Sequence, residues 1–144
     1  MEPRLSFVTL GVADIARARV FYEKLGFKAS SASNENVTFF DANGVVLALF
    51  GRAALAEDAC VPDSKPGFSG VALAHNVGTE QEVESVLAEV QAAGGHIVKP
   101  AQRVFWGGYC GYFSDPDGHL WEVAHNPFFH LDEEGRVTLP FDAQ

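Results

Sequence analysis

Basic residues are scarce in this chain. Ten Lys and Arg stand against nineteen Asp and Glu, for a net charge of −9. That balance argues against nucleic acid as a partner, because phosphate binding wants a basic face. It suits a cationic ligand, and more generally it keeps a protein in solution. Cysteine is scarcer still. Cys60 and Cys110 have no metal-type spacing and need no disulfide framework. Long apolar runs are missing too. The longest clear one, Val45 to Phe50, falls far short of the ~20 residues a membrane helix needs. Met1-Glu2-Pro3-Arg4 lacks the charged-then-apolar pattern of a signal segment. No membrane partner and a cytoplasmic location are therefore expected. What remains is ordinary for a globule: 47% hydrophobic and 20% charged residues over 144 positions, enough for a sizeable core in one domain.

The local patterns run as follows. Leu5 to Val12 alternates as a strand. Asp14 is placed to cap a helix whose apolar positions are Ile15, Ala18, Tyr22 and Leu25, with Gly26 as its stop. Short strands are expected at Phe27 to Ser31, Val37 to Asp41 and Val45 to Phe50, with Asn43-Gly44 as a hairpin turn. Arg52 to Gly67, with Pro62 and Pro66, reads as a linker. A strand over Ser69 to His75 then leads to a helix that opens with a capping box, Thr79 and Glu82. Its stripe is Val83, Val86, Leu87, Val90 and Ala93, and Gly94-Gly95 ends it. Strands at His96 to Lys99, Gly108 to Ser114 and His119 to His125 complete the series. The order strand-helix-strand-strand-strand is thus written twice. Beyond it, Asp132-Glu133-Glu134-Gly135 before Val137-Thr138-Leu139 suggests a small hairpin.

The most specific stretch is Tyr112 to Glu122. Asp115-Pro116-Asp117-Gly118 has the chemistry of a β-turn, and Glu122 follows four residues after the glycine in an otherwise apolar strand. A carboxylate there needs a partner or a role. Superposing the turn glycines, Gly44 and Gly118, sets Ala48 opposite Glu122, and the strand starts set Phe7 opposite Gly70.

Two such modules, this turn and the Val12-Ala13-Asp14 … Phe21-Tyr22-Glu23-Lys24-Leu25-Gly26-Phe27 segment resemble the vicinal oxygen chelate superfamily, which includes glyoxalase I, bleomycin-resistance proteins and extradiol dioxygenases. The resemblance covers about residues 5 to 125. It implies an α+β fold of two βαβββ modules with curved, mostly antiparallel sheets around a cleft. The chain is then a single domain over 1–144: a first module at 5–51, a linker at 52–67, a second module at 68–125 and a C-terminal extension at 126–144. The resemblance also implies a homodimer.

Enzymes of that superfamily hold a divalent metal with residues from the first and last strand of each module. Here those four positions are Phe7, Ala48, Gly70 and Glu122, and Glu122 alone has a donor side chain. A shift of one residue brings in only Ser6, Val8, Leu47, Leu49, Ser69 or Val71. A divalent ion wants three or four oxygen or nitrogen donors. The five histidines do not converge by strand parity, since His119 and His125 face away from Glu122. No cofactor and no metal are therefore expected, and no catalytic residue is assigned.

The resemblance places Tyr112, ten residues before Glu122, on the cleft-lining face. Phe7, Thr9, Trp106, Tyr112 and Glu122 are the expected ligand-binding residues, an aromatic set with one carboxylate. The Trp106-Gly107-Gly108 run reads equally as a turn. Cys110 has no matched base and reads as a small buried thiol. The function expected is metal-independent binding of a small aromatic or cationic molecule. The alternatives are a lyase, isomerase or dioxygenase with an atypical site using Glu122, and a structural module with a closed cleft.

Overall fold

The computed structural model describes residues 1–140; the last four residues of the C-terminal extension lie outside the described residues. The chain forms two compact units. Residues 1–69 together with 115–119 make the first, and residues 70–114 with those from 120 onward make the second. The boundary near 69 falls close to the expected start of the second module. The short segment 115–119, expected in that module, belongs instead to the first unit.

In the first unit, β1 (Phe7–Val12) leads into α1 (Ile15–Lys24), followed by β2 (Val37–Asp41), β3 (Val46–Gly51) and α2 (Arg52–Asp58). The sheet order is β1-β3-β2, with β1 parallel and β2 antiparallel to β3. Asp14 caps α1 by accepting from the Arg17 amide at 3.1 Å. At the other end Gly26 adopts φ 101°, the Gly26 amide donates to Glu23 and the Phe27 amide donates to Tyr22. This is a Schellman stop, and its usual apolar clasp is present as an edge-on contact of Tyr22 with Phe27 at 5.6 Å. Tyr22, Phe21 and Phe40 are buried and pack ring to ring, so α1 lies on the sheet through an aromatic core. Asn43 and Gly44, both at positive φ, make the two-residue hairpin between β2 and β3.

Two expectations fail in this unit. The strand expected over Phe27 to Ser31 reduces to a single bridge, Ala29 with Phe40. The segment after Gly26 is held by the Ser30 amide donating to the Phe39 carbonyl at 2.8 Å and by the Phe39 amide donating to Ser33 Oγ at 2.9 Å, rather than by a longer ladder. The linker is not irregular throughout, because its first half is α2. Ala53, Ala54, Leu55 and Ala56 are strong helix formers, and the prolines that suggested a loop come only later. Arg52 ties the helix start to the following loop, donating to Asp63 at 2.8 Å and to the Ser64 carbonyl at 2.6 Å.

The second unit holds β4 (Leu73–Asn76), α3 (Glu80–Ala93), β5 (His96–Arg103), β6 (Tyr109–Ser114) and β7 (Leu120–His125). Its sheet order is β4-β7-β6-β5, with β4 parallel to β7 and the other pairs antiparallel. The expected capping box opens α3: the Glu82 amide donates to Thr79 Oγ1 at 3.1 Å, and that hydroxyl donates back to the Glu82 carboxylate at 3.3 Å. Gly94, at φ 103°, closes it. Val83, Leu87 and Val90 are buried where α3 packs on β5, β6 and β7. The close approach needs Gly111, whose missing Cβ would lie 2.7 Å from Leu87 Cδ1. β4 starts at Leu73 rather than Ser69, and Gly70 sits outside it at φ 78°. β5 runs on past Lys99 through Pro100, which an edge strand tolerates. The expected hairpin of the extension is present as β8 (His130–Leu131) paired with β9 (Val137–Thr138).

The α+β architecture with a twice-used strand and helix pattern is thus as expected. Among the described residues no helix is long and apolar enough to cross a membrane.

Candidate functional site

The turn that organises the sequence is an anchor within the first unit. Asp115 is only 3% exposed. Its Oδ1 accepts from the amides of Asp117 and His119, both at 2.9 Å, and its Oδ2 accepts from the Tyr22 hydroxyl at 2.7 Å. Asp117 Oδ1 accepts from the Ala13 amide at 2.9 Å and from Arg17 at 3.1 Å. His119 Nε2 lies 2.8 Å from the Gly11 carbonyl. Both aspartates therefore do more than shape the turn. His119, expected to open the last strand, lies instead just before it, half-buried and bonded to β1. Arg17 is thereby ion-paired with Asp117.

Beyond the turn the chain enters β7 and reaches Glu122. Strand pairing fixes its neighbours: Ala74 on β4 lies opposite on one side and Tyr112 on β6 on the other. Tyr112 in turn faces Lys99 on β5. Directly paired residues share a face, so Lys99, Tyr112 and Glu122 form one row across three adjacent strands. The other face carries Phe113 and Trp121, whose rings stack at 5.9 Å, and Gly111 under α3.

The Tyr112 hydroxyl donates to Glu122 Oε2 at 2.5 Å. That bond, with lesser contributions from burial and the carboxylate charge, pushes the phenol up to about 12. At neutral pH Tyr112 is therefore a held donor and Glu122 keeps one oxygen free of it. Cys110, buried on the same face, has its thiol pushed up first by burial and then by Glu122, with Lys99 opposing. It is not an activated nucleophile.

This row opens on a pocket of about 380 Å³. Lys99, Gln102, Arg103, Tyr112 and Glu122 give it polar groups. Cys110, Val104, Phe105 and Trp106 give it apolar ones. The two aromatics sit at the tip of the β5–β6 hairpin, where Gly107 donates to the Val104 carbonyl and adopts φ 94°. Trp106 folds back on the hairpin: a Cβ at Gly108 would fall 1.9 Å from its ring. Trp106 is thus placed by a turn and not by an extended strand.

Of the five residues expected from the sequence, Trp106, Tyr112 and Glu122 line one pocket. Phe7 and Thr9 do not. They lie exposed on β1 of the first unit, where Phe7, 52% exposed, meets Phe39 edge-on at 6.1 Å. Lys99 is absent from the expected set, and plain counting of antiparallel partners does not reach it, because the register shifts on both sides of the Lys99–Tyr112 pair.

The superfamily's metal positions do not fit an ion here. Phe7 and Ala48 have no donor. Phe7 pairs with Val46, two residues before Ala48, and the same offset from Glu122 gives Ala72, one step before the Leu73–Trp121 pair. The corresponding residue is therefore Ala72 rather than Gly70, and it too has no donor. Among the described residues no three of His, Cys, Asp and Glu cluster so as to hold a metal ion.

The chain is thus an α+β protein with a repeated module and a Glu122-bearing strand beside a small pocket. The family model of the Glyoxalase/Bleomycin resistance protein/Dioxygenase superfamily matches residues 4–123, and the chain belongs to that superfamily. Among solved structures, a glyoxalase-related enzyme from Fulvimarina pelagi is 38% identical, covering 95% of this chain and 98% of that one, with a TM-score of 0.86. A glyoxalase/bleomycin resistance protein/dioxygenase from Nocardioides is 27% identical, covering 87% and 84%, with a TM-score of 0.72. A lactoylglutathione lyase from Agrobacterium tumefaciens shares the fold at 22% identity, covering 88% and 96%, with a TM-score of 0.66.

Proposed function

We propose that this protein binds a small planar molecule in the pocket beside Tyr112 and Glu122, without a metal at the superfamily positions. The observation that carries the reading is the Tyr112–Glu122 hydrogen bond inside a pocket with Phe105 and Trp106. A pocket of this kind joins apolar contact area to a few fixed polar groups, as small-molecule sites do. Trp106 and Phe105 supply faces for stacking, and Glu122 supplies an acceptor for a cationic or amide group. With the donors Phe7, Ala48 and Ala72 do not provide, the carboxylate serves the ligand directly.

A fragment screen by protein-observed NMR tests this. Flat aromatic compounds should shift the Trp106 indole and Tyr112 resonances, and Glu122→Ala should weaken those that carry a cation. Stoichiometric Ni or Zn binding that is lost in Glu122→Ala would overturn the metal-independent reading. The competing reading, an enzyme, draws on the description of the Fulvimarina pelagi relative as glyoxalase-related. It requires turnover that Glu122→Gln abolishes while ligand binding persists.

A further inference from the structure

Building on that proposed pocket, we infer that its ligand is a small aromatic zwitterion, with an anionic group taken by Lys99 and a cationic group taken by Glu122. The row Lys99–Tyr112–Glu122 spans three neighbouring strands, so its two charged ends stand on strands about 10 Å apart. Between them lies Tyr112, committed as a donor to Glu122.

The two ends are unequally satisfied. Glu122 has one carboxylate oxygen engaged by the phenol. Lys99 is half-buried and, among the described residues, makes no ion pair. A partly buried ammonium facing a pocket without a partner gains from an incoming anion more than a hydrated surface lysine would. Arg103, the other cation of the pocket, differs: its side chain is 82% exposed and leans towards Glu80. Charge of each sign at opposite ends, with Phe105 and Trp106 alongside, selects a ring bearing both charges over one bearing either. Both side chains line the same pocket, so one small ring carrying both charges can engage the two of them.

The probes are 4-(aminomethyl)benzoate, benzylamine and benzoate, titrated by Trp fluorescence and NMR into the full chain. The zwitterion should bind roughly tenfold or more tightly than either half-molecule, the scale of one charge-assisted hydrogen bond. Lys99→Met should erase its advantage over benzylamine, and Glu122→Gln its advantage over benzoate. Equal binding of all three, or an advantage that survives Lys99→Met, overturns the inference and leaves the pocket a site for planar molecules. Failure of every flat aromatic compound, these and the wider fragment set, to perturb Trp106 or Tyr112 overturns the proposed function and this inference together.

Discussion

Replacing Tyr22 by Phe removes one hydroxyl and nothing else from the aromatic core. The ring contacts with Phe21, Phe27 and Phe40 are retained. What is lost is the 2.7 Å bond to Asp115 Oδ2, an oxygen of a carboxylate only 3% exposed. The two amides at Oδ1 remain, so the carboxylate keeps two of its three partners. A hydrogen bond to a buried charge is worth about 1.5–3 kcal/mol, and the deserted oxygen cannot turn to water. With a urea m-value of roughly 2 kcal/mol/M, the midpoint should fall by about 1 M with the slope unchanged. Equilibrium urea unfolding followed by circular dichroism measures both. A double-mutant cycle isolates the pair: in an Asp115→Ala background, Tyr22→Phe should cost far less than it does alone. A loss below about 0.5 kcal/mol, within the range of an ordinary surface change, would refute the claim that this bond anchors the turn. So would strict additivity with Asp115→Ala.

Three further outcomes follow from named contacts. The Tyr112 phenol lies above its ordinary range, so the Tyr112–Glu122 pair contributes fully below pH of about 10 and is lost as pH rises through about 12. Alkaline ultraviolet titration should show that step, Tyr112→Phe should remove it, and Glu122→Gln should move it down; an unmoved step would mean the carboxylate is not its cause. Gly111→Ala would set a Cβ 2.9 Å from the Lys99 carbonyl and 3.0 Å from the Ala101 amide, so β5 itself must shift. A loss of roughly 1–3 kcal/mol should appear in thermal melts, and an unchanged Tm would show that the β5–β6 spacing is slack. Thr79→Ala should destabilise by about 1 kcal/mol through the lost cap of α3, read as earlier amide exchange in its first turn; unchanged exchange there would remove the cap's role.

Features fixed by short-range chemistry were legible from residue types alone. Asp14, Gly26, Thr79, Gly94 and the Asn43-Gly44 turn each act where they were expected, because a cap or a tight turn is decided within a few residues. Features decided by distant partners were not. Phe27 to Ser31 has strand-like residues, yet only Ala29 meets a partner. The strand expected to stop at Lys99 runs on through Pro100, because it lies at a sheet edge. In the site, the family resemblance put Tyr112 and Glu122 on one face, which agrees with their pairing. Lys99 needed the register between strands, and that register shifts twice along β5 and β6. Ala72 was obscured for the same reason, since Gly70 matches by chain order and not by pairing.

The carboxylates of this stretch differ in how far their oxygens are satisfied within the protein. Asp115 and Asp117 stand out in a recognisable turn, and their oxygens go to Tyr22, Ala13, Arg17 and the turn's own amides. Those bonds fix where His119 ends the turn, three residues before Glu122. Glu122 stands out for a different reason, as a single acid in an otherwise apolar strand. Its neighbours on either side are Ala74, which offers nothing, and Tyr112, which occupies one oxygen. A carboxylate held by a fixed strand and only half satisfied has capacity left for a ligand. In a superfamily whose metal positions are here filled by Phe7, Ala48 and Ala72, Glu122 is the one of the four that keeps an oxygen donor.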